Sequence, residues 1–238
     1  MPRLKLGRRE FAPQLIPTLV VVPLLLLLCG LGRWQLHRAA EKQALWDAFA
    51  RGASAPIALP VTPAPRYSRV RVTGHYLPER QFLLDNMVHA GVAGYRVLTV
   101  LARDDGPPVL IDRGWVALGA SRSQLPDISV GDEERSITGR VDETPRAGAT
   151  LPAPQSVSWP RVLNYPPMLV MEHALGRPLY PQITLLDPDQ ADGYLRDWHA
   201  PGFPPARHLG YAATWFAMAV TLLILYLYLS LTPRGARD

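Results

Sequence analysis

An uncharged, mainly apolar stretch occupies residues 209–231, close to the end of the chain, and limits the fold more than any other part of the sequence. In a helix with a rise of 1.5 Å per residue it would be roughly 34 Å long, which is enough to cross a hydrocarbon core of about 30 Å. Residues 224–229 are hydrophobic on every side, which favours lipid surroundings over one face of a soluble core. We therefore predict a transmembrane helix at residues 208–231.

A second apolar stretch lies at residues 11–32 and follows a short basic segment. A cleaved signal peptide is the alternative, but the stretch is long for one and no small-residue cleavage site follows it. We favour an uncleaved transmembrane helix. Residues 33–52 consist of good helix formers, so the helix is predicted to continue beyond the membrane and to end at Gly52.

The basic side chains predict how the two helices are oriented. Four of the first ten residues are arginine or lysine, and two arginines follow the second stretch. Because positive side chains favour the cytoplasmic side, residues 1–10 and 232–238 are expected to be cytoplasmic tails. Residues 53–207 would then be extracytoplasmic, since long segments translocate largely regardless of their charge.

Residues 53–207 have the pattern of short strands joined by turns. At residues 69–73, valines alternate with polar side chains, which is the period-two pattern of a half-buried strand. Asp-Gly at residues 105–106 separates two apolar runs and predicts a hairpin, whereas Pro78 opens a predicted turn. Strands without alternating helices indicate an α+β fold whose central domain is mainly antiparallel, as a sheet or a barrel-like arrangement.

Three further expectations concern this central domain. A short helix is predicted at residues 168–175 and is ended by Gly176. A final strand is predicted at residues 182–186. Trp115, which follows Gly114 in the second strand of the hairpin, is expected to pack into the β core as a structural residue.

The composition argues against several kinds of protein. The 238 residues carry a net charge of +5, but the basic side chains are dispersed, so no nucleic-acid surface is expected. The one cysteine, Cys29, permits no intrachain disulfide. The sequence has no glycine-rich phosphate loop, no Gly-x-Ser-x-Gly motif and no His-Glu-x-x-His motif, which argues against an enzyme.

His208, Tyr211 and Trp215 begin the second apolar stretch at spacings i, i+3 and i+7, so they share one helical face. An imidazole at a membrane boundary, with two aromatic rings below it, is a candidate functional site. The alternative is an interfacial belt, in which such side chains anchor the helix at the level of the lipid headgroups. Spacing alone leaves both interpretations open.

Four short motifs occur in order along the chain, two beside the apolar stretches and two in the strand region. They are Gly32-x-Trp34-Gln35-Leu36-x-Arg38-x-x-x-Lys42, Gly94-Tyr95-Arg96-Val97-Leu98-Thr99, Val109-Leu110-Ile111-Asp112-Arg113-Gly114-Trp115-Val116 and His208-Leu209-x-Tyr211-x-x-x-Trp215-Phe216. Together they resemble the SURF1 family of membrane-anchored assembly factors for haem–copper cytochrome oxidase. The family often has Asn where Asp112 stands and Pro where Val100 stands, and the resemblance is silent on residues 145–205.

The resemblance implies a multi-pass protein of the cell inner membrane, with a periplasmic central domain and a function in oxidase maturation. Haem a would be bound or handed on to the catalytic subunit, and haem a synthase is a second candidate partner besides the lipid bilayer. His208 matches the position of a haem-linked histidine. Because imidazole is largely neutral at pH 7 and can bind iron, we predict that His208 is an axial ligand. Tyr211 and Trp215 would offer an apolar wall to the porphyrin, and Arg207 a cation to a propionate.

Two other functions stay open at this point. The chain could hold an oxidase subunit as a scaffold without binding haem, or it could be a membrane-anchored enzyme that acts through its central domain. The missing nucleophile and base motifs count against the enzyme. The haem and scaffold hypotheses differ at His208, because only haem needs its imidazole.

Small residues predict how the two transmembrane helices pack. A stripe at i, i+4 and i+8 on the second helix consists of Ala213, Ala217 and Thr221. Small residues let helix backbones approach closely in a membrane. We predict that this stripe packs against Gly30 and Gly32 at the end of the first span.

Overall fold

The protein is described by a computed structural model, which covers residues 4–6, 9–51, 55–119, 121–145, 158–200 and 202–233. It divides into two compact units, Met1–Asp47 with Pro201–Asp238, and Ala48–Ala200. In chain order, the helices are α1 (Leu15–Arg51), α2 (Met168–Leu175) and α3 (Pro205–Ser230). The strands are β1 (Leu4–Leu6), β2 (Arg9–Phe11), β3 (Ile57–Ala58), β4 (Arg69–His89), β5 (Val92–Ala102), β6 (Val109–Ala117), β7 (Glu134–Asp142), β8 (Arg161–Leu163), β9 (Ile183–Leu186) and β10 (Leu231–Pro233).

The first unit contains two helices that are long and apolar enough to cross a membrane. α1 has 37 residues and is about 55 Å long, and α3 has 26 residues and is about 39 Å long. α1 begins at Leu15 rather than at residue 11, which belongs to β2. As predicted, α1 continues well beyond residue 32; its predicted end at Gly52 lies outside the described residues.

Two hydrogen bonds fix the direction of α3 relative to α1. Near the start of α1, the Thr18 hydroxyl lies 2.6 Å from the Tyr226 hydroxyl near the end of α3. Further along α1, the Gln35 Oε1 atom lies 2.8 Å from the Nδ1 atom of His208, near the start of α3. The two helices therefore form an antiparallel pair, and the prediction that they pack together is confirmed.

The packing face of α3 differs from the predicted one. The buried residues of α3 are Ala212, Ala219 and, at its end, Ser230. The predicted stripe is exposed at Ala213, Ala217 and Thr221. The cause is Phe216, whose ring contacts Gly32 so closely that a Cβ atom on this glycine would be 2.7 Å from the ring. Gly30 has no such neighbour within 4 Å, so Gly32 alone of the two glycines provides the close approach.

A small antiparallel sheet joins the segment that precedes α1 to the segment that follows α3. β2 lies between β1 and β10, with Leu231 opposite Phe11. The Ala12 amide also donates to the Ser230 carbonyl at 2.9 Å. No strand was predicted here, because three-residue runs are too short to show a hydrophobic period.

The second unit is built around a seven-stranded sheet in the order β3-β4-β5-β6-β9-β7, with β8 beside β4. β4 also pairs with β7, so the pairing from β4 through β5, β6, β9 and β7 returns to β4. Four of the strand pairs are antiparallel and three, β3–β4, β4–β8 and β6–β9, are parallel. The longest pairings, β4–β5, β4–β7 and β5–β6, are antiparallel as predicted, and the short parallel pairs make the sheet mixed. The parallel pairs were not predicted, because parallel partners are joined by long connections that leave no hairpin signal.

β4 is a single strand of 21 residues, although the sequence predicted a turn at Pro78. Residues 69–75 pair with β7, and pairing with β5 begins at His75 and continues to His89, with a register shift between Tyr76 and Gln81. Pro78 lies within that shift, where a residue without an amide N–H removes no ladder hydrogen bond. The strand therefore changes partner without reversing direction.

The local predictions for the central domain are confirmed at three places. β5 and β6 form the antiparallel hairpin expected at residues 105–106. α2 occupies residues 168–175, and Gly176 follows it with a φ of 76°, the left-handed conformation that ends a helix. β9 occupies residues 183–186 and is entirely buried.

Charged side chains from two of the motifs meet inside the sheet. Asp112 is fully buried, contacts the Arg96 guanidinium and accepts a hydrogen bond from the Gly114 amide at 3.0 Å. Burial raises the pKa of the Asp112 carboxyl, against the opposite effect of Arg96. Arg113 is also buried and donates to the Ile128 carbonyl at 3.0 Å. These contacts give the strand-region motifs a structural role.

Trp115 does not lie in the β core, where the sequence placed it. Its ring is half-buried, and its Nε1–H donates to the Met87 carbonyl at 2.8 Å. The indole lies beside His89, with ring centroids 5.5 Å apart. It also covers Gly94, where a Cβ atom would be 2.5 Å from the indole. Trp115 therefore supports the β4–β5 hairpin from one side and is still a structural residue.

Candidate functional site

The candidate site begins at the start of α3. Pro204 precedes the helix in an extended conformation, and Pro205 is in its first turn. Proline suits this position because the first amides of a helix have no intrahelical acceptor and because its φ is already helical. His208 lies about one turn further along and is half-buried.

The His208 ring is held by a residue of the other helix. Its Nδ1 atom lies 2.8 Å from Oε1 of Gln35. An amide oxygen can only accept a hydrogen bond, so Nδ1 carries the proton and donates it. In a neutral imidazole the lone pair is then on Nε2, the nitrogen free to bind a metal ion or accept another hydrogen bond.

A groove of about 300 Å³ is lined in part by Gln35, the hydrogen-bond partner of this histidine. It is lined by one residue of α1 and four of α3: Gln35, Tyr211, Thr214, Trp215 and Met218. The Thr214 hydroxyl donates to the Gly210 carbonyl at 3.0 Å, so it has its own partner within the helix. The groove therefore offers two aromatic rings and a thioether, with few polar groups besides the Gln35 amide.

The four predicted residues are arranged in two groups. Tyr211 and Trp215 line the groove, and His208 joins it through its hydrogen bond with Gln35. Arg207 lies apart from the groove lining, exposed, with its guanidinium carbon 3.9 Å from the centre of the Phe203 ring. The roles of all four in haem binding stay predictions.

Sequence reasoning missed three residues of this site, namely Gln35, Thr214 and Met218. Met218 follows His208 by ten positions and falls on the same helical face as Tyr211 and Trp215, so helical periodicity extended by one turn could have found it. Gln35 is in a motif that was noted, but its contact with a residue more than 170 positions away has no signal in a single sequence.

The described residues contain no group of three or more histidine, cysteine, aspartate or glutamate side chains that could hold a bare metal ion. Within that part of the chain, the site offers one imidazole donor in apolar surroundings. Such a donor set suits a metal whose other ligands come from a prosthetic group, as in haem.

Comparison with known proteins decides the family. The model of the SURF1 family matches residues 22–220. The chain belongs to the SURF1 family. The SURF1-like protein of Rickettsia bellii is 22% identical over 224 residues, which cover 87% of this chain and 88% of that protein. The SURF1-like protein of Rickettsia felis is 22% identical over 225 residues, which cover 87% of this chain and 94% of that protein.

A yeast relative carries a functional name. The cytochrome oxidase assembly protein SHY1 of Saccharomyces cerevisiae is 35% identical over 115 residues, which cover 44% of this chain and 30% of that protein. The SURF1 family match includes Gln35, His208 and the whole groove lining, whereas Thr18 and Tyr226 fall outside residues 22–220. The contact at the His208 end of the helix pair is thus inside the part of the chain that the family shares.

Proposed function

We propose that this SURF1-family protein assists the assembly of cytochrome oxidase by binding haem a through His208 and handing it to the catalytic subunit. Family membership and the name of the yeast relative support the role in oxidase assembly. The haem-binding step rests on one observation: the half-buried imidazole of His208 is hydrogen-bonded through Nδ1 to Gln35, a residue that lines an apolar groove, and Nε2 has no hydrogen-bond partner among the described residues.

The residues present fit a haem. His208 would supply an axial ligand to the iron, and Tyr211 and Trp215 would contact the apolar porphyrin. Met218 is ten residues from His208, about 15 Å along α3, and is therefore too distant to bind the same iron. When bound, haem a supplies the redox-active iron of the oxidase, and every contribution of this chain is one of holding and orienting.

The groove favours a haem with a long apolar substituent. It occupies two turns of α3 on the side of His208 that leads into the apolar stretch, from Tyr211 to Met218. Haem a differs from haem b by an isoprenoid tail, which prefers such surroundings over water. Arg207 is exposed near the start of α3 and would meet a propionate at the level of the headgroups.

We further propose that both termini are cytoplasmic and that the sheet unit is periplasmic, in the inner membrane of the cell. The antiparallel direction of α1 and α3 supports placing the two ends on one side, and the β1-β2-β10 sheet joins the two end segments there. The basic side chains of those segments favour the cytoplasmic side. The catalytic subunit, and haem a synthase as the supplier, would approach within this membrane.

The test is His208→Ala in cells that make haem a. The variant should reach the membrane at the normal level but purify without its Soret band, and cytochrome oxidase activity should fall. His37→Ala is a matched control, because His37 is also a histidine of this helix pair but its side chain is 74% exposed and contacts Glu41 at 3.3 Å. Full haem occupancy in His208→Ala would reject the ligand and leave the scaffold function in its place.

A further inference from the structure

We infer that Gln35 is a positioning residue, which fixes the tautomer and the orientation of the His208 ring so that Nε2 is presented to a metal. This inference rests on the proposed haem-binding function. It joins two motifs that lie at opposite ends of the chain, one following the first apolar stretch and one beginning the second. Neither motif by itself indicates a partner for the other.

The hydrogen bond determines the tautomer. Nδ1 of His208 lies 2.8 Å from Oε1 of Gln35, an atom with lone pairs and no hydrogen. A contact of this length requires the proton to be on Nδ1. The same arrangement recurs at metal sites, where the ring N–H that faces away from the metal is held by a protein acceptor.

The hydrogen bond does more than hold the helices together. The Thr18–Tyr226 hydrogen bond, at 2.6 Å, joins the same two helices, but neither of its residues lines the groove. Gln35 contacts His208 and also lines the groove, so its side chain touches both parts of the proposed site. A residue that served only helix packing would not need to do both.

The chemical identity of the acceptor matters as well. A neutral amide oxygen attracts the Nδ1 proton less strongly than a carboxylate would, which makes the imidazole a less basic ligand than it would be beside a carboxylate. A less basic axial ligand stabilises the reduced iron relative to the oxidised iron. Gln35 would therefore keep the reduction potential of the bound haem higher than a glutamate at the same position.

The first experiment needs no haem. In the full-length protein in detergent micelles, with ¹⁵N-labelled histidine, the ring nitrogen shifts of His208 report which nitrogen is protonated. Wild type is expected to show protonated Nδ1 and unprotonated Nε2, and Gln35→Leu to lose this preference. Thr18→Val is the matched control, because it removes a hydrogen bond between the same helices at their other end and should leave the His208 tautomer unchanged.

The second experiment uses haem a as the probe. Gln35→Leu should lower haem affinity about 10- to 100-fold, the usual effect of losing a hydrogen bond to a metal-binding histidine. Gln35→Glu should retain haem with a lower reduction potential, and Thr18→Val should match wild type in both measurements. Wild-type tautomer, affinity and potential in the Gln35 variants would overturn the inference while leaving haem binding intact. Full haem occupancy in His208→Ala would instead reject the proposed function itself.

Discussion

The hydroxyl groups of Thr18 and Tyr226 lie 2.6 Å apart, and this contact is about 26 Å from the Gln35–His208 contact along α1 and about 27 Å along α3. Because the two separations agree, one antiparallel pair of helices satisfies both contacts. They are also close to the hydrocarbon thickness of about 30 Å. The two polar contacts thus have the spacing of the two faces of a bilayer.

A crosslinking experiment tests this helix pairing. In a Cys29→Ser background, Thr18→Cys combined with Tyr226→Cys should be joined within one chain by a short bismaleimide, seen as a mobility shift. A bridging reagent is needed because Tyr226 makes the contact with the end of a long side chain, whereas a direct disulfide requires Cα atoms within about 7 Å. The control pair is Leu19→Cys with Leu229→Cys, whose native side chains are 64% and 74% exposed. If the control pair crosslinks as readily as the contact pair, the helices do not pack through Thr18 and Tyr226.

Gly32 should not tolerate a side chain. A Cβ atom there would be 2.7 Å from the Phe216 ring, so Gly32→Ala should destabilise the helix pair by about 1–3 kcal/mol, the usual effect of overpacking. Gly30→Ala is the control and should be neutral or slightly stabilising, because that position has no neighbour within 4 Å and alanine favours helix. The stability of the helix pair in both variants can be measured from the yield of the crosslink between positions 18 and 226 as denaturant is added.

The Phe216 ring provides a reciprocal test of the same contact. Gly32→Ala combined with Phe216→Leu should recover part of the stability lost by Gly32→Ala, since the smaller side chain makes room for the methyl group. Strictly additive losses in the double variant would contradict the contact between Gly32 and the ring.

The buried pair in the sheet unit should be sensitive to losing one partner. Asp112→Ala leaves the Arg96 guanidinium without its carboxylate and should lower the free energy of unfolding by about 3–5 kcal/mol. Asp112→Asn should cost less, because its amide oxygen can still accept the Gly114 amide hydrogen bond. Denaturant titration followed by tryptophan fluorescence compares the two. If both variants lose the same free energy of unfolding, the hydrogen bond from the Gly114 amide does not contribute to stability.

Reporter fusions test the orientation. Alkaline phosphatase fused after Leu118 should be active, because that residue follows β6 in the unit proposed to be periplasmic, and a fusion after Leu231 should be inactive. Orientation follows the basic side chains at the two ends of the chain. The opposite pattern of activities would reverse the proposed topology, whereas two active fusions would rule out one of the spans.

The sequence predicted those elements that are determined by residues close together in the chain. The length of the two apolar stretches predicted α1 and α3, Asp-Gly at residues 105–106 predicted the β5–β6 hairpin, and Gly176 predicted the end of α2. The parallel pairs of the sheet and the passage of β4 through Pro78 depend on partners distant in sequence, so no local pattern indicated them. Fold class was therefore predictable, and strand order was not.

The candidate site shows the same division between local and distant causes. Helical spacing grouped His208 with Tyr211 and Trp215, because one helix determines that face. It could not identify Gln35, and it selected the wrong small residues on α3, because the choice between two sets of alanines depends on where Phe216 meets Gly32. Both errors concern contacts between α1 and α3 that only the folded pair determines.

The sheet of β1, β2 and β10 has a consequence for the order of events during synthesis. β2 precedes every described element except β1 in the chain, whereas its partner β10 follows all of them, so β2 is translated well before β10. Until then, one edge of β2 has unpaired backbone groups, which can attract another chain. A protein truncated before Leu231 would keep that edge of β2 open, and we expect it to associate with other chains more readily than the full chain does.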